Sequence, residues 1–342
     1  MLTILTNHLS QIHDRIGFGS TNKPELRQQL ILNQIQKNNL GYEIQYHEKY
    51  IPKQWLEQLH DPDYLYFLEN VYHDWTMNND PHWIDDSFGI KPNHYTKYKI
   101  NDKIPLYKMS GYYGMDFMTP IYKDTYQNCM NSAYLAYLSG EIVQDNKIVY
   151  VLANVPGHHA RSNQYGGYCF LNNSIIAAYR MAELGKIVGI LDIDYHAGSF
   201  EIVNKNSGFD GKLFCCSIHM DPLYDYPSYE GFESENCDYI KNVVLHPNTS
   251  WDSYKQKLID GCEYLINSGI NGLVIAFGAD TYKEDPDPSP LGKLSLELND
   301  YCAIGKTIKQ YFGEMPIIIT QEGGYDLDHV PEIVSNLLEG LK

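Results

Sequence analysis

Two hydrophobic patterns alternate along the second half of the chain. Short runs of β-branched and aliphatic residues predict strands covered on both faces, and apolar residues three or four apart predict helices between them. This order is typical of a parallel sheet with helices on both sides. The predicted strands are 148–155, 187–193, 213–219, 273–277 and 316–320, and the helices between them are 172–184, 252–266 and 296–312.

The first 125 residues have a less regular pattern. Segments 23–37 and 63–72 predict helices, whereas 78–113 is rich in Pro, Gly, Asn and aromatic residues and predicts a long irregular excursion. A stretch of this length without secondary structure is usually functional or part of an interface. Because no repeat or linker divides the chain, we predict a single domain over residues 1–342.

Composition and charge narrow the classes of protein that fit. The formal charge of −17 argues against a nucleic-acid partner, which requires a basic surface, and is compatible with a cationic small molecule, although solubility explains it equally well. There is no apolar run long enough to span a membrane and no signal peptide pattern, so we expect a cytoplasmic protein without a membrane partner. Seven cysteines without CxxC spacing predict no disulfide framework.

Metal-ligating residue types follow two of the predicted strands. Asp192, Asp194 and His196 alternate after one strand and would point to one side of an extended segment, and Asp280 follows another strand. Ligands bind at the carboxyl ends of strands in open α/β sheets. Two carboxylates and one imidazole suit a divalent metal with coordination positions left for water and substrate. The alternatives are a polar strand end and, for Asp280, a turn or helix cap.

Two more strand ends carry catalytic residue types. His158 and His159 follow a Pro-Gly turn, which would let both imidazoles reach one site as general base and acid; further metal ligands or a solvated loop are the alternatives. Tyr325 follows two glycines, which permit a sharp turn that aims its phenol at the same site. Its hydroxyl could donate to an oxyanion, although it is one tyrosine among 30.

These motifs make the chain similar to the histone deacetylase superfamily, specifically its acetylpolyamine amidohydrolase branch. The resemblance implies an arginase/deacetylase-like α/β domain with a central, mostly parallel sheet flanked by helices and an active site at the strand carboxyl ends. Weaker similarity extends over nearly the whole chain. The shared stretches, in family order, are VPGHHA (155–160), GGYCFLNN (166–173), LDIDYHAG (191–198), FGADTYKEDP (277–286) and QEGGY (321–325).

The resemblance also implies a role for each matching residue. Asp194, His196 and Asp280 would bind zinc or iron, together with a water. His158 and His159 would be the tandem base and acid. Tyr325 would polarise the amide carbonyl and hold the oxyanion. Asp192 and Ser217 would be ligands of a structural K⁺, and Asp192 would also pair with His158. The walls of an acyl tunnel would be Gly167, Tyr168 and Tyr226, with Asp116 at its rim.

The implied substrate depends on residues 75–113, which resemble an insertion that narrows the entrance and forms a homodimer. A narrow entrance selects small cationic acylamines, so the resemblance implies hydrolysis of N-acetylated polyamines or similar amines to free amine and acetate. Asp80, Asp85 and Asp86 would meet a substrate ammonium, or else lie on a solvated loop. A protein lysine deacetylase shares every catalytic residue, and a non-catalytic binding protein with a retained pocket is a third reading.

The chain departs from the family pattern beside the metal-ligand motif. Ala197 and Ser199 stand where the family has His and then Asn or Asp, the latter being the partner of the second histidine. Ser199 would therefore offer His159 a weaker hydrogen bond without charge, which predicts a lower pKa for His159 than in a homologue with a carboxylate there. The family usually has a glycine-rich run after the segment that resembles residues 231–236, and this chain has a different sequence there. Acyl length, native metal and physiological substrate stay open.

Overall fold

In the computed structural model, eight strands among the described residues form one sheet in which every neighbouring pair is parallel. The structure describes residues 2–7, 23–38, 40, 42–47, 49–79, 88–92, 95, 104–143 and 147–342. The order across the sheet is β2-β1-β3-β8-β7-β4-β5-β6. The strands are β1 (Leu2–Thr6), β2 (Tyr42–Tyr46), β3 (Ile148–Val151), β4 (Val188–Asp192), β5 (Leu213–Met220), β6 (Ile240–Leu245), β7 (Gly272–Phe277) and β8 (Ile317–Gln321).

Helices connect the strands and cover both faces of the sheet. The helices are α1 (Pro24–Asn38), α2 (Lys53–Leu56), α3 (Pro62–Asn78), α4 (Ser110–Tyr113), α5 (Thr125–Ile142), α6 (Asn173–Glu183), α7 (Glu201–Lys205), α8 (Ser207–Gly211), α9 (Trp251–Asn267), α10 (Asp300–Phe312) and α11 (Val330–Leu341). The predicted α/β fold with a mostly parallel, helix-flanked sheet is confirmed.

Successive residues of the central strands enter opposite cores. Val274 of β7 and Ile318 of β8 belong to the core that includes α3, α5 and α6, whereas Ile275 and Ile319 belong to the core that includes α1, α9, α10 and α11. Because side chains alternate between the faces of a strand, a strand buried on both faces has a continuous apolar sequence. This is why the central strands were predictable.

The structure corrects several predicted boundaries. The first predicted strand ends at Val151 and not at 155, and α10 begins at Asp300 and not at 296. Helix α6 matches its prediction, and the Asn172 side chain caps it by accepting a hydrogen bond from the backbone N–H of Ile175 (3.1 Å). The sequence did not predict β1, β2, β6, α5 or α11. All seven cysteines are unpaired, as predicted.

The predicted excursion at 78–113 contains more structure than expected. In its described part, Ile90 pairs with Ile121 in an antiparallel bridge, and a 3-10 helix at Leu106–Met109 leads into α4. Asp80, Asp85 and Asp86 lie outside the described residues. The single-domain assignment and the entrance and dimerisation role of 75–113 stay predictions. Within the described ranges, every helix is too short or too polar to cross a lipid bilayer.

Candidate active site

Four neighbouring strands in the middle of the sheet deliver the predicted site residues. In sheet order these are β3, β8, β7 and β4, and parallel strands place their carboxyl ends at one edge. His158 and His159 follow β3, Tyr325 follows β8 and Asp280 follows β7. Asp194 and His196 follow β4, so residues distant in sequence meet because of strand order.

The structure brings the three predicted metal ligands together. One donor atom each from Asp194, His196 and Asp280 lies within 4.8 Å of the others, and all three side chains are buried. Nδ1 of His196 lies 3.3 Å from Oδ2 of Asp280 and 3.5 Å from Oδ1 of Asp194. Even so, Oδ2 of Asp280 accepts no hydrogen bond of proper geometry from the described residues. A buried acceptor facing an imidazole nitrogen and a second carboxylate fits a divalent cation.

The electrostatic environment of Asp280 and the backbone geometry around it are also consistent with a divalent cation at this position. Burial and repulsion by the Asp194 carboxylate raise the pKa of Asp280, as expected where negative charge lacks compensation. Glycines bring backbone close to this group, because a Cβ at Gly278 would collide with Asp194 and one at Gly323 would collide with Asp280. The backbone N–H of Gly323 donates to Oδ2 of Asp194 (2.8 Å). The two glycines therefore let the backbone approach both carboxylates closely.

A second cluster of ligand types is a poorer donor set. His158, Cys169 and Glu322 also converge within 4.8 Å. The Glu322 oxygens already accept hydrogen bonds from the backbone N–H groups of Gly157 (2.6 Å) and His158 (3.0 Å) and from the Thr320 hydroxyl (2.8 Å). The first group is therefore the better candidate for a metal site.

The two histidines have opposite electrostatic environments. Burial alone would lower the pKa of His158, but Asp194 and Asp192 raise it to about 10; Oδ2 of Asp192 lies 3.2 Å from its Nδ1. Burial, followed by repulsion from His158 and His196, lowers the pKa of His159 well below its usual value. The two rings are 3.9 Å apart between centroids. His158 is thus favoured in its protonated form and His159 in its neutral form.

Packing fixes the position of the second ring. Gly167 adopts a φ of +53°, and a Cβ at this position would collide with the His159 ring. The Tyr226 ring meets His159 edge to face at 4.9 Å. A glycine in the predicted tunnel wall therefore lets the backbone lie directly against the histidine.

The pairing of Asp192 with His158 is confirmed, whereas the K⁺ role of Asp192 and Ser217 stays a prediction. Ser217 lies opposite Asp192 in the β4–β5 register, and its hydroxyl is 2.7 Å from Nδ1 of His219.

The expected hydrogen bond from Ser199 to His159 is wrong. The Ser199 hydroxyl donates to Oε2 of Glu230 (3.4 Å), and Arg161 forms an ion pair with the same oxygen (2.5 Å). The carboxylate of Glu230, which is 16% exposed, is the stronger acceptor for this hydroxyl, because hydrogen bonds to charged groups are stronger than those between neutral groups.

A cavity of about 110 Å³ is lined by His159, His196 and Tyr325, among other residues. Tyr168 and Tyr325 both line it, and their ring centroids lie 5.8 Å apart. Burial, followed by the Asp287 carboxylate, raises the pKa of Tyr325 well above its usual value, so the phenol keeps its proton and can donate it in a hydrogen bond. The lining residues are Asp116, Met118, His159, Gly167, Tyr168, His196, Asp225, Tyr226, Asp287 and Tyr325.

All four predicted tunnel and rim residues line this cavity, and their substrate roles stay predictions. Asp116 is more tightly held than a rim position implies. Its Oδ2 accepts hydrogen bonds from the backbone N–H of Gly167 (2.6 Å) and the Tyr226 hydroxyl (3.2 Å), so it connects the two tunnel walls.

Sequence reasoning missed three acidic residues that shape the site. Glu322 holds the histidine loop through the hydrogen bonds given above. Asp285 is fully buried, and its Oδ2 accepts hydrogen bonds from the backbone N–H groups of Tyr325 (2.7 Å) and Asp326 (3.0 Å). Asp287 lines the cavity, and burial raises its pKa to about 6. The only sequence signals were carboxylates after apolar strands, in QEGGY and EDPDP.

A cavity beside a candidate divalent-metal donor set and an imidazole pair, at the carboxyl edge of a parallel sheet, is the arrangement of a hydrolase site on an α/β fold. The chain belongs to the histone deacetylase family, because the histone deacetylase domain matches residues 22–341. It is accordingly a deacetylase-type hydrolase.

Comparison with known proteins gives relatives along nearly the whole chain. It is 32% identical over 327 residues to acetylpolyamine amidohydrolase 1 of Pseudomonas aeruginosa strain PAO1, covering 92% of this chain and 89% of that protein. It is 28% identical over 296 residues to acetylpolyamine amidohydrolase of Mycoplana ramosa, covering 83% and 82%. The crystal structure of acetylpolyamine aminohydrolase from Burkholderia pseudomallei superposes with a TM-score of 0.83 at 23% identity, covering 99% of this chain and 98% of that one. That likeness shows the shared fold.

Proposed function

We propose that this chain is a zinc-dependent amidohydrolase that removes acetyl or other short acyl groups from N-acetylated polyamines or similar aliphatic amines. The products are the free amine and acetate. The observation that carries the proposal is the convergence of Asp194, His196 and Asp280 within 4.8 Å. His159 and Tyr325 line the same cavity as His196, and the His158 ring packs against His159.

Each residue of the site would have a separate role in amide hydrolysis. Asp194, His196 and Asp280 would hold the zinc ion, which when bound would lower the pKa of a water and polarise the amide carbonyl. His159, which its environment keeps neutral before reaction, would accept the proton of the attacking water and later transfer it to the leaving amine. His158, paired with Asp192, would supply positive charge beside it. Tyr325 would donate a hydrogen bond to the oxyanion.

The size and charge of the cavity support a small amine substrate. A volume of about 110 Å³ fits a slender aliphatic chain, and three carboxylates, Asp116, Asp225 and Asp287, line it. The relatives in Pseudomonas aeruginosa and Mycoplana ramosa carry the name acetylpolyamine amidohydrolase, which supports the same substrate class. The homodimer, the structural K⁺ and a cytoplasmic location stay predictions from the sequence.

The test is a substrate comparison with metal removal. We expect turnover of N-acetylputrescine and N-acetylspermidine to exceed that of an acetyl-lysine peptide, to be lost after chelation and to return with Zn²⁺. Asp194→Ala, which removes one ligand, should reduce the zinc content measured by elemental analysis. Strong preference for the peptide would contradict the polyamine proposal and favour a protein lysine deacetylase. Zinc binding without hydrolysis of any acylamine would contradict the enzymatic proposal.

A further inference from the structure

One carboxylate that does not line the active cavity connects three segments that carry site residues. Oε2 of Glu230 forms an ion pair with Nη2 of Arg161 (2.5 Å) and accepts a hydrogen bond from the Ser199 hydroxyl (3.4 Å). Arg161 lies in the segment after β3, Ser199 in the segment after β4 and Glu230 in the segment after β5. The Arg161 guanidinium also lies 5.2 Å from the ring centroid of Tyr229, next to Glu230 in the chain. We call the three residues Arg161, Ser199 and Glu230 the Glu230 bridge.

Each of the three segments also carries one ring of the site. The rings are those of His159, His196 and Tyr226, and each contacts the other two. The centroids lie 4.9 Å apart for His159 and Tyr226, 5.9 Å for His159 and His196, and 6.2 Å for His196 and Tyr226. Each ring is two to four residues in sequence from the member of the Glu230 bridge on its own segment. The bridge therefore connects the backbone segments whose spacing determines how the rings pack.

Of these rings, His159 depends most on its neighbours for its orientation. The Tyr226 hydroxyl donates to Oδ2 of Asp116 (3.2 Å), and Nδ1 of His196 faces two carboxylates of the metal-ligand group. Nδ1 of His159 is buried and forms no hydrogen bond of proper geometry with the described residues, and the Ala197 backbone interacts with the ring only weakly. The position of the His159 imidazole is therefore determined by the rings and segments packed around it.

The ion pair lies apart from the place where the substrate would bind. Arg161 and Glu230 line a second cavity of about 290 Å³. Among the described residues, this cavity and the active cavity share no lining residue. An effect of the pair on turnover would consequently act through the site residues that the pair positions, and not through a contact with the substrate.

We propose that Glu230 is a positioning residue for the acid–base step. Through Arg161 and Ser199 it fixes the spacing of the three segments, so that the His159 ring keeps its place beside the metal-ligand group. Ser199 then supports His159 indirectly, through Glu230, in place of the direct hydrogen bond expected from the sequence. This inference rests on the proposed deacylase function and adds a residue that acts on the reaction without touching the substrate.

The test measures kcat per bound zinc ion with N-acetylputrescine as the substrate. Glu230→Ala removes both contacts, and we expect kcat to fall about tenfold with zinc content unchanged, because displacing a catalytic group by a fraction of an ångström is costly. KM should change less than about threefold, since neither partner of the ion pair lines the active cavity. Glu230→Gln keeps an oxygen acceptor for both donors and should recover kcat to within about threefold of wild type.

Glu235→Gln is the matched control. It removes one charge from an exposed side chain on the same segment and the same second cavity, and it keeps an acceptor for the backbone N–H of Gly231, which donates to Oε2 of Glu235 (2.8 Å). Because this contact stays within one segment, kcat should remain within about twofold of wild type. An equal loss in Glu235→Gln and Glu230→Ala would overturn the inference, because charge in the second cavity would then explain both.

Arg161→Met removes the ion pair from its other side and keeps an apolar stem against Tyr229, so it tests the same contact even if Glu230→Ala does not fold. The double variant should have a kcat no lower than that of the more impaired single variant, because the two side chains act as one unit. Losses that multiply in the double variant would overturn the inference, since the two residues would then act independently.

The remaining outcomes separate this inference from a structural role and from the proposed function. A structural role alone would lower the melting temperature and the amount of zinc-loaded protein but leave kcat per bound zinc unchanged, and that result would overturn the inference. An active wild-type enzyme with unchanged kcat in both Glu230→Ala and Arg161→Met would also overturn it, while leaving the deacylase function intact. Failure of the wild-type protein to hydrolyse any acylamine would contradict the proposed function, and this inference with it.

Discussion

Glu322 allows a sharp prediction, because a single buried carboxylate oxygen holds the loop that carries both histidines. Its Oε2 accepts hydrogen bonds from the backbone N–H groups of Gly157 (2.6 Å) and His158 (3.0 Å), and the side chain is fully buried. Glu322→Ala would leave two buried donors without an acceptor. Each such donor costs about 1–3 kcal/mol, so we expect a loss of about 2–6 kcal/mol in the free energy of unfolding. This is a large part of the roughly 5–15 kcal/mol that stabilises a typical domain.

Glu322→Gln is the matched control. Its amide oxygen can accept the same two hydrogen bonds, and its NH₂ group can donate to the Thr320 hydroxyl, which bonds the wild-type carboxylate at 2.8 Å. We therefore expect the Gln variant to lie within about 1 kcal/mol of wild type. Urea unfolding followed by circular dichroism measures the stabilities, and kcat measures whether the histidine loop keeps its place. The Ala variant should lose most activity and the Gln variant should retain it.

The comparison also identifies how the reasoning could fail. If the Gln variant were as unstable and inactive as the Ala variant, the charge of Glu322 and not its hydrogen bonding would hold the loop. If the Ala variant were as stable as wild type, the two backbone donors would have found other partners.

Three further predictions test other parts of the molecule. Tyr325→Phe should lower kcat on the order of a hundredfold or more, which is the effect of losing one oxyanion donor, and should leave zinc content unchanged. Near-full activity would contradict the role of Tyr325 as that donor. Gly323→Ala should reduce zinc content, because the added Cβ collides with Asp280; unchanged metal binding would show that the loop can shift. His60 is buried, and desolvation lowers its pKa from 6.5 to about 4. Between pH 6.5 and pH 4 the unfolded chain therefore binds more protons than the folded protein, so stability falls as the pH falls through this range. His60→Gln should reduce that acid-side loss by about 3 kcal/mol, measured by urea unfolding from pH 7 to pH 4, and an unchanged pH slope would contradict the assignment.

The sequence predicted the parts of the fold whose local pattern and tertiary environment agree. Strands β4, β5, β7 and β8 are apolar on both faces and were found close to their observed bounds. Strands β2 and β6 lie at the two sheet edges and β1 lies next to β2, and none of the three has a long apolar run in the sequence. Helix α5 is buried around most of its circumference and has no strong polar stripe, so its helical period was hidden. Helix α11 is amphipathic and was overlooked.

The metal ligands and histidines were predictable because their residue types are distinctive and each follows a strand. Asp287 was not predictable, because a carboxylate between two prolines has the sequence of a turn. The same holds for the partner of Ser199. Glu230 follows β5 and meets Ser199 only through the three-dimensional arrangement of two loops. Side-chain pairings between separate loops leave no pattern in a single sequence.

The order of the strands has a consequence for how the chain acquires its metal. The histidine loop is tied to Glu322 across 164 residues, and Asp194 is tied to Gly323 across 129. Closing such long loops is entropically costly, and folds with many distant contacts assemble slowly. Helices can form earlier, but the metal-ligand group exists only after β4 and β7 have paired, and the segment after β8 then supplies the Gly323 N–H that holds Asp194. A cation that binds this group would therefore stabilise only those states of the chain in which β4 and β7 are already paired.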